Sequence, residues 1–368
     1  MEGKSMEGKK GYLYDLEKLI TVRLMQEDTE TVYSLLKTER DPIFAMGILP
    51  YYAMFVQSCQ EYMGEIFLEE VYAKKIKNTR NFLKAYGDGF GKSKKRVESI
   101  DENQNEQYRE RLNFDFMKNW NIHMNLGTYW TEDKHIIGNT QMIADFLEVR
   151  DVFNTENKEI YRKLGEQIGS FVVSLKEGFP QSICLPEINR PNTGKEIKYF
   201  YDLNTNNVDK LFRNNSQKSL NLFFLNITCN LNFIKYVLRP LLDVDNKWLF
   251  RVEYIVTYYA YRSIQRLKNY CENNTDLCIG LEEFTDMLES GRGLFQSKFR
   301  NCMMHYGIEN QGVISIEYIE KPFYGIVETC YNGKDYNYFL EELRNISEKI
   351  LMVLEDRFDA EGITLEHL

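Results

Sequence analysis

The chain has 368 residues, of which 43% are hydrophobic and 14% aromatic, so it can bury a substantial core and is not disordered as a whole. Its formal net charge of −9 excludes a protein that coats nucleic acid through overall positive charge, but it is compatible with a local basic surface. This length accommodates two domains of ordinary size or one large helical domain.

The cysteines and the apolar stretches bear on the cellular compartment. The seven cysteines are odd in number and form no Cys-x-x-Cys pair, which favours free thiols over disulfides or a zinc site. The N-terminus lacks the apolar core of a signal peptide, and asparagines interrupt the most apolar stretch that we selected, 222–234. We therefore predict a soluble cytoplasmic protein with no membrane association, no metal and no cofactor.

Helical patterns dominate the N-terminal half. Apolar residues recur at helical spacing from Tyr12 to Leu36, and Asp41 followed by Pro42 is typical of a helix start. The second helix is predicted to run to about residue 72, and a polar, glycine-containing region follows over 74–105. Further helices are predicted up to residue 120 and over 141–149 and 158–175.

A stretch rich in proline and asparagine, 178–207, divides the chain and is typical of a linker or an exposed loop. We place a domain boundary near Asn206. The sequence thus predicts an N-terminal helical domain of unknown role, 1–206, and a C-terminal helical domain, 207–368.

The C-terminal half continues the helical pattern. Apolar residues from Leu249 to Leu267 follow a three-and-four spacing, which predicts an amphipathic helix that ends near Asn273. Two more helices are predicted over 293–307 and 334–358, and a weak alternation predicts a short strand or β-hairpin near 312–320. The predicted fold class is all-α, with two helical regions.

Arg300, Asn301 and His305 form the most informative cluster in the sequence. A cation for phosphate, a hydrogen-bonding amide and a proton carrier are what metal-free RNA cleavage requires. On an ideal helix Asn301 and His305 share a face, and Arg300 lies about 140° away from His305 around the axis. Two antiparallel copies would bring these groups together and supply two histidines, so we predict a homodimer with a composite cleft.

This segment resembles the signature of the HEPN superfamily of α-helical domains. Arg300, Asn301 and His305 match its Arg-Asn-x-x-x-His form, and the resemblance covers about 207–358. It implies a helical bundle and a dimeric, metal-independent endoribonuclease with RNA as its substrate. It also implies a role as a toxin or anti-phage effector, with an antitoxin or defence-system partner.

Two alternatives remain open at this point. Some members of the superfamily are not catalytic, so the chain can instead be a helical scaffold or interaction module. A third interpretation is a sensor in which the N-terminal half binds a ligand or partner and gates the C-terminal domain.

The catalytic roles follow from the chemistry of the side chains. His305 is expected to take the proton from a ribose 2′-hydroxyl, which then attacks the adjacent phosphorus. Arg300 is expected to neutralise charge on the phosphoryl oxygens, and Asn301 to position the phosphate or His305. A second copy of His305 would protonate the leaving 5′-oxygen.

Positive charge is concentrated over 74–96, which holds nine Lys and Arg residues against Asp88 alone. Interleaved aromatic residues offer stacking groups for single-stranded RNA; they are Phe82, Tyr86 and Phe90. The predicted RNA-binding residues are Lys92, Lys94, Lys95 and Arg96. The alternative for this segment is a solvated helix end followed by a flexible loop.

Overall fold

The predicted fold class is confirmed, because the chain is mainly α-helical with one small sheet. A computed structural model describes the chain except for Met1 and residues 39–41, 65–67, 112–123, 150–153, 180–198, 207–210, 214–216, 275–280, 310 and 368.

The N-terminal half supplies six of the described helices, and they differ from the predicted ones in two places. They are α1 (Glu2–Leu36), α2 (Pro42–Met63), α3 (Glu70–Phe82), α4 (Phe90–Glu110), α5 (Thr140–Leu147) and α6 (Thr155–Gly178). The predicted start at Pro42 is confirmed, since proline is well tolerated in the first turn of a helix. The predicted extension to residue 72 is wrong, because α2 ends at Met63 and α3 begins at Glu70.

The region 74–105 is largely helical and not a polar connection. Ile76 and Phe82 of α3 and Phe90 and Val97 of α4 are buried, so each helix places an apolar face on the core. The many lysines lie between these positions and hide the apolar periodicity from a reading based on average polarity.

The C-terminal half continues with α7 (Lys218–Asn232), α8 (Lys247–Glu272), α9 (Thr285–Ser290), α10 (Ser297–Met304), α11 (Ile326–Cys330) and α12 (Tyr336–Glu355). The predicted helix over 249–267 is confirmed as α8, whose Asn246 side chain accepts a hydrogen bond from the Leu249 amide at the N-terminus. The predicted last helix is confirmed as α12, which buries Leu343, Ile346 and Ile350.

The strand predicted near 312–320 is wrong. Residues Ile316–Tyr318 form a 3-10 turn instead, and the Ser315 side chain accepts a hydrogen bond from the Glu317 amide at its start. Ile316 is 61% exposed, so the weak alternation does not mark a buried strand face.

The sheet lies elsewhere and joins distant parts of the chain. Its strands are β1 (Leu126–Trp130), β2 (Ile136–Asn139), β3 (Tyr199–Leu203) and β4 (Glu366–His367), in the antiparallel order β2-β1-β3-β4. The strand β3 falls within the stretch that was predicted to be a linker, while 180–198 lie outside the described residues.

The predicted boundary near Asn206 does not separate two hydrophobic cores. One buried apolar cluster includes residues from both segments, and β4 at the end of the chain pairs with β3. A buried hydrogen bond of 2.9 Å from Asn139 to Asn226 also crosses the boundary. The two segments therefore pack together.

Among the described residues, α2 is the one helix long and apolar enough to span a membrane, although 67% of its most apolar window is buried within the protein. Core helices of soluble proteins have the same length and composition, so this helix is weak evidence for a membrane span. Its burial matters for the site, because α2 packs against the segment that carries the Arg300–His305 motif.

Candidate active site

The motif lies at the C-terminal end of α10, which is shorter than predicted. The helix ends at Met304, and His305 follows it with an extended backbone (φ −135°, ψ 153°). The prediction that Asn301 and His305 share an ideal helical face is therefore wrong. The amide of His305 still donates to the Asn301 carbonyl at 2.9 Å, so the last turn fixes where the imidazole leaves the helix.

Side chains from α8 and α2 hold the end of α10. Arg251 donates from Nε and Nη2 to the Met303 carbonyl, at 3.1 and 3.0 Å. Ser58 donates from Oγ to the Met304 carbonyl at 2.5 Å. Because these carbonyls have partners outside the helix, the chain can turn away at His305 without leaving buried acceptors unpaired.

His305 is hydrogen-bonded to Glu61 of α2. The distance from Nδ1 to Oε2 is 2.6 Å, and the two side chains are 37% and 36% exposed. Arg80 of α3 donates from Nη2 to both carboxylate oxygens of Glu61, at 3.2 and 3.4 Å. The Glu61 carboxylate thus lies between an imidazole and a buried guanidinium, and Nε2 is the ring nitrogen left for a ligand.

The charges around this pair favour a neutral imidazole beside an ionised carboxylate. Burial lowers the pKa of His305; Glu61 opposes this effect, while Arg80 and Lys84 add to it. Burial alone would raise the pKa of Glu61, but Arg80, Gln57 and His305 outweigh it and the pKa is lowered. A neutral His305 that donates from Nδ1 to Glu61 presents a lone pair on Nε2, as a general base must.

Arg300 extends from α10 toward α8. Its guanidinium carbon lies 5.8 Å from the centre of the Tyr258 ring, and its Nε is buried without a described hydrogen-bond partner. Burial by itself would raise the pKa of Tyr258, but hydrogen bonds and positive charge from Arg262 and Arg300 outweigh it and lower the pKa. The guanidinium therefore retains unused donor capacity.

Asn301, the third motif residue, is exposed on α10. Its side chain makes no hydrogen bond to a described residue, so its amide is open to solvent. Its assigned role in positioning stays a prediction.

Two cations of the basic segment reach the motif, and they are not the predicted ones. Arg80 binds Glu61, and Lys84 follows one turn later, where its amide donates to the Asn81 carbonyl at 3.1 Å. Burial lowers the pKa of Lys84, and the positive charges of Arg80 and Arg300 add to that effect. Lys84 is therefore within electrostatic range of the motif arginine.

Sequence reasoning included Arg80 and Lys84 in the basic segment but did not select them, and it missed Glu61 altogether. The concentration of positive charge was the available signal for the two cations. Nothing local marks Glu61, which precedes His305 by 244 positions.

The predicted RNA-binding residues lie on α4: Lys92, Lys94, Lys95 and Arg96. Arg96 is paired at 2.7 Å with the buried Asp145, and Lys94 lies 3.8 Å from Glu98. Within the described part of the chain, no hydrogen bond or ion pair joins any of the four to the motif. Their role in RNA binding stays a prediction.

The aromatic residues of the same segment are not available to stack on RNA. Phe82, Tyr86 and Phe90 are 0%, 5% and 2% exposed, and the rings of Tyr86 and Phe90 pack edge-on against Phe223 of α7. The expectation of a stacking surface is corrected accordingly. Their spacing of four residues reflects a core-facing helical side.

Comparisons with known proteins leave the argument to these contacts. No family model matches the chain, and searches of curated proteins and of solved structures find none similar to it. Among the described residues, no group of three or more His, Cys, Asp or Glu side chains is arranged to hold a metal ion.

Proposed function

We propose that this protein is a metal-independent endoribonuclease of the HEPN type. The observation that carries the proposal is the 2.6 Å contact between His305 Nδ1 and Glu61 Oε2 on a partly exposed imidazole. It supplies a neutral, oriented base at the motif histidine, with Arg300 on the preceding helix as the phosphate-binding cation.

The proposed reaction begins at His305 Nε2, which accepts the proton of a ribose 2′-hydroxyl. The 2′-oxygen forms a bond to phosphorus while the bond from phosphorus to the 5′-oxygen breaks. Arg300 neutralises the charge on the phosphoryl oxygens, and Asn301 positions the phosphate. A proton from a second copy of His305 goes to the 5′-oxygen, which leaves a 2′,3′-cyclic phosphate and a 5′-hydroxyl.

The use of a second copy makes the active form a homodimer in this proposal. One imidazole acts as base while the other, protonated, acts as acid, so neither must change state within the same step. A cytoplasmic toxin or anti-phage effector, with an antitoxin or defence-system partner, completes the proposal.

A non-catalytic scaffold is the second candidate, and the same contact favours it in another way. The chain of hydrogen bonds from His305 through Glu61 to Arg80 ties α10 to α2 and α3. Such a connection stabilises the packing of three helices whether or not RNA is cleaved.

Cleavage of RNA by purified full-length protein in the presence of EDTA separates the two candidates. Wild type should yield fragments with 2′,3′-cyclic phosphate and 5′-hydroxyl ends, and His305→Ala should be slower by roughly a hundredfold or more. His135→Ala is the matched control, because His135 also pairs with a carboxylate, Glu355, at 2.9 Å. Intact RNA with wild type and with both variants would favour the scaffold.

A further inference from the structure

Two buried guanidinium groups near His305 have unused donors. The Nε atoms of Arg80 and Arg300 are both buried without a described hydrogen-bond partner. Arg80 is only 3% exposed. Leaving a buried charged donor unpaired is costly, so such donors in a native protein call for an explanation.

Lys84 adds a third cation to the same place. Its side chain is half-buried, and its ammonium makes no hydrogen bond or ion pair with any residue that the structure describes. Arg80 and Arg300 both act electrostatically on Lys84, and Arg300 acts on Arg80 as well. The three cations, which come from α3, the turn after it and α10, therefore share one region.

Negative charge in this region is too small to balance them. Glu61 is the carboxylate bound to Arg80, and it is shared with His305. Asp88 also acts on Lys84, but its side chain is 69% exposed and lies 4.0 Å from Arg266. Like charges that are partly removed from water repel strongly, so a bound anion would relieve both the repulsion and the unpaired donors.

We propose that Arg80, Lys84 and Arg300 form a phosphate-binding subsite beside His305, in which the N-terminal half holds a phosphate group for the motif. A guanidinium matches two phosphate oxygens through parallel N–H donors, and the lysine adds a point charge. The subsite rests on the proposed nuclease function only for the identification of its ligand as an RNA phosphate.

The subsite also gives a physical reason for the placement of Arg80. Glu61 holds only the Nη2 side of its guanidinium, so the remaining edge is kept oriented and is not neutralised completely. Binding of phosphate would place a negative charge near His305 and raise the pKa of its imidazole.

Binding of two probes to the full-length protein tests the subsite without any cleavage. The probes are inorganic phosphate and a single-stranded oligonucleotide of 2′-deoxy residues, which has no attacking hydroxyl. We expect Lys84→Gln to weaken binding of both by roughly tenfold, and phosphate to raise the pKa of His305 as followed by NMR. Lys74→Gln, an exposed lysine of α3, is the control and should leave phosphate binding unchanged.

Each outcome decides something. Binding of both probes, weakened by Lys84→Gln, supports a subsite for the RNA backbone. Binding of inorganic phosphate alone, with the same sensitivity, supports the subsite and makes free phosphate its ligand. Absence of phosphate binding, or equal binding by wild type and Lys84→Gln, overturns it. Loss of RNA cleavage with phosphate binding intact would instead count against the proposed function.

Discussion

His305 and Glu61, which are 244 positions apart in the sequence, are joined by a hydrogen bond of 2.6 Å between Nδ1 and Oε2. This contact brings the second helix of the chain to the motif of the tenth. Since Glu61 is itself held by Arg80, the position and the protonation of the imidazole depend on residues from the N-terminal half.

Replacing Glu61 by Gln should lower the pKa of His305 further. The carboxylate is the main influence that raises this pKa against burial, so its loss favours the neutral imidazole even more. NMR titration of the His305 ring measures the shift directly. Glu355→Gln, which alters the His135 pair, is the matched control and should leave the His305 titration in place.

The same substitution should slow RNA cleavage, by less than His305→Ala does, because the neutral amide orients the ring less strictly than a carboxylate. An unchanged rate in Glu61→Gln, with the expected fall in the pKa, would show that the carboxylate does not orient the base.

The acid limb of the cleavage profile should lie below pH 6.5, the ordinary value for histidine. The pKa of His305 is lowered, so the imidazole stays neutral and active as a base at pH values where a free histidine is protonated. The pH dependence of kcat/KM reports this ionisation. Lys84→Gln removes a positive charge and should shift the limb upward, whereas a downward shift would contradict the placement of Lys84 near His305.

Mixing two inactive variants tests the composite dimer. If guanidinium and imidazole act on one phosphate from different copies, Arg300→Ala and His305→Ala subunits should together cleave RNA faster than either does alone. The control is each variant at the total protein concentration of the mixture. A monomeric mass in solution, under conditions where the wild type cleaves RNA, would remove the dimer from the mechanism.

Asp28→Asn should destabilise the protein by about 3 kcal/mol or more, because it leaves the buried Arg251 without its charged partner at 2.8 Å. Urea unfolding measures the free energy of unfolding. Asp356→Asn is the control: its side chain is 80% exposed and lies 3.4 Å from Arg213, so it should cost no more than about 1 kcal/mol. Equal losses in the two variants would refute the structural importance of the buried pair.

The sequence predicts the long helices well because their evidence is local. Pro42 marks the start of α2, and the apolar spacing of α8 and α12 matches the residues that are buried. The sheet was missed because its strands have five residues or fewer and pair across long separations, as β3 and β4 do. Pairing of that kind leaves no periodic signal in either strand.

The candidate site was predictable only in part, for a related reason. The motif names Arg300, Asn301 and His305, but the partner of His305 lies on a distant helix and has no local signature. The aromatic residues from Phe82 to Phe90 were misread, although their four-residue spacing in itself indicates a core-facing side.

The grip on the end of α10 reaches as far as the first helix. Tyr306, the residue after the motif histidine, donates from its hydroxyl to Asp28 of α1 at 2.6 Å, and its carbonyl accepts from Thr21 at 3.1 Å. A truncated protein that begins after residue 206 would retain every letter of the motif and still lose the acceptor and the donor that fix its last turn. Work on an isolated C-terminal fragment would therefore report on a damaged catalytic centre, whatever its intact sequence suggests.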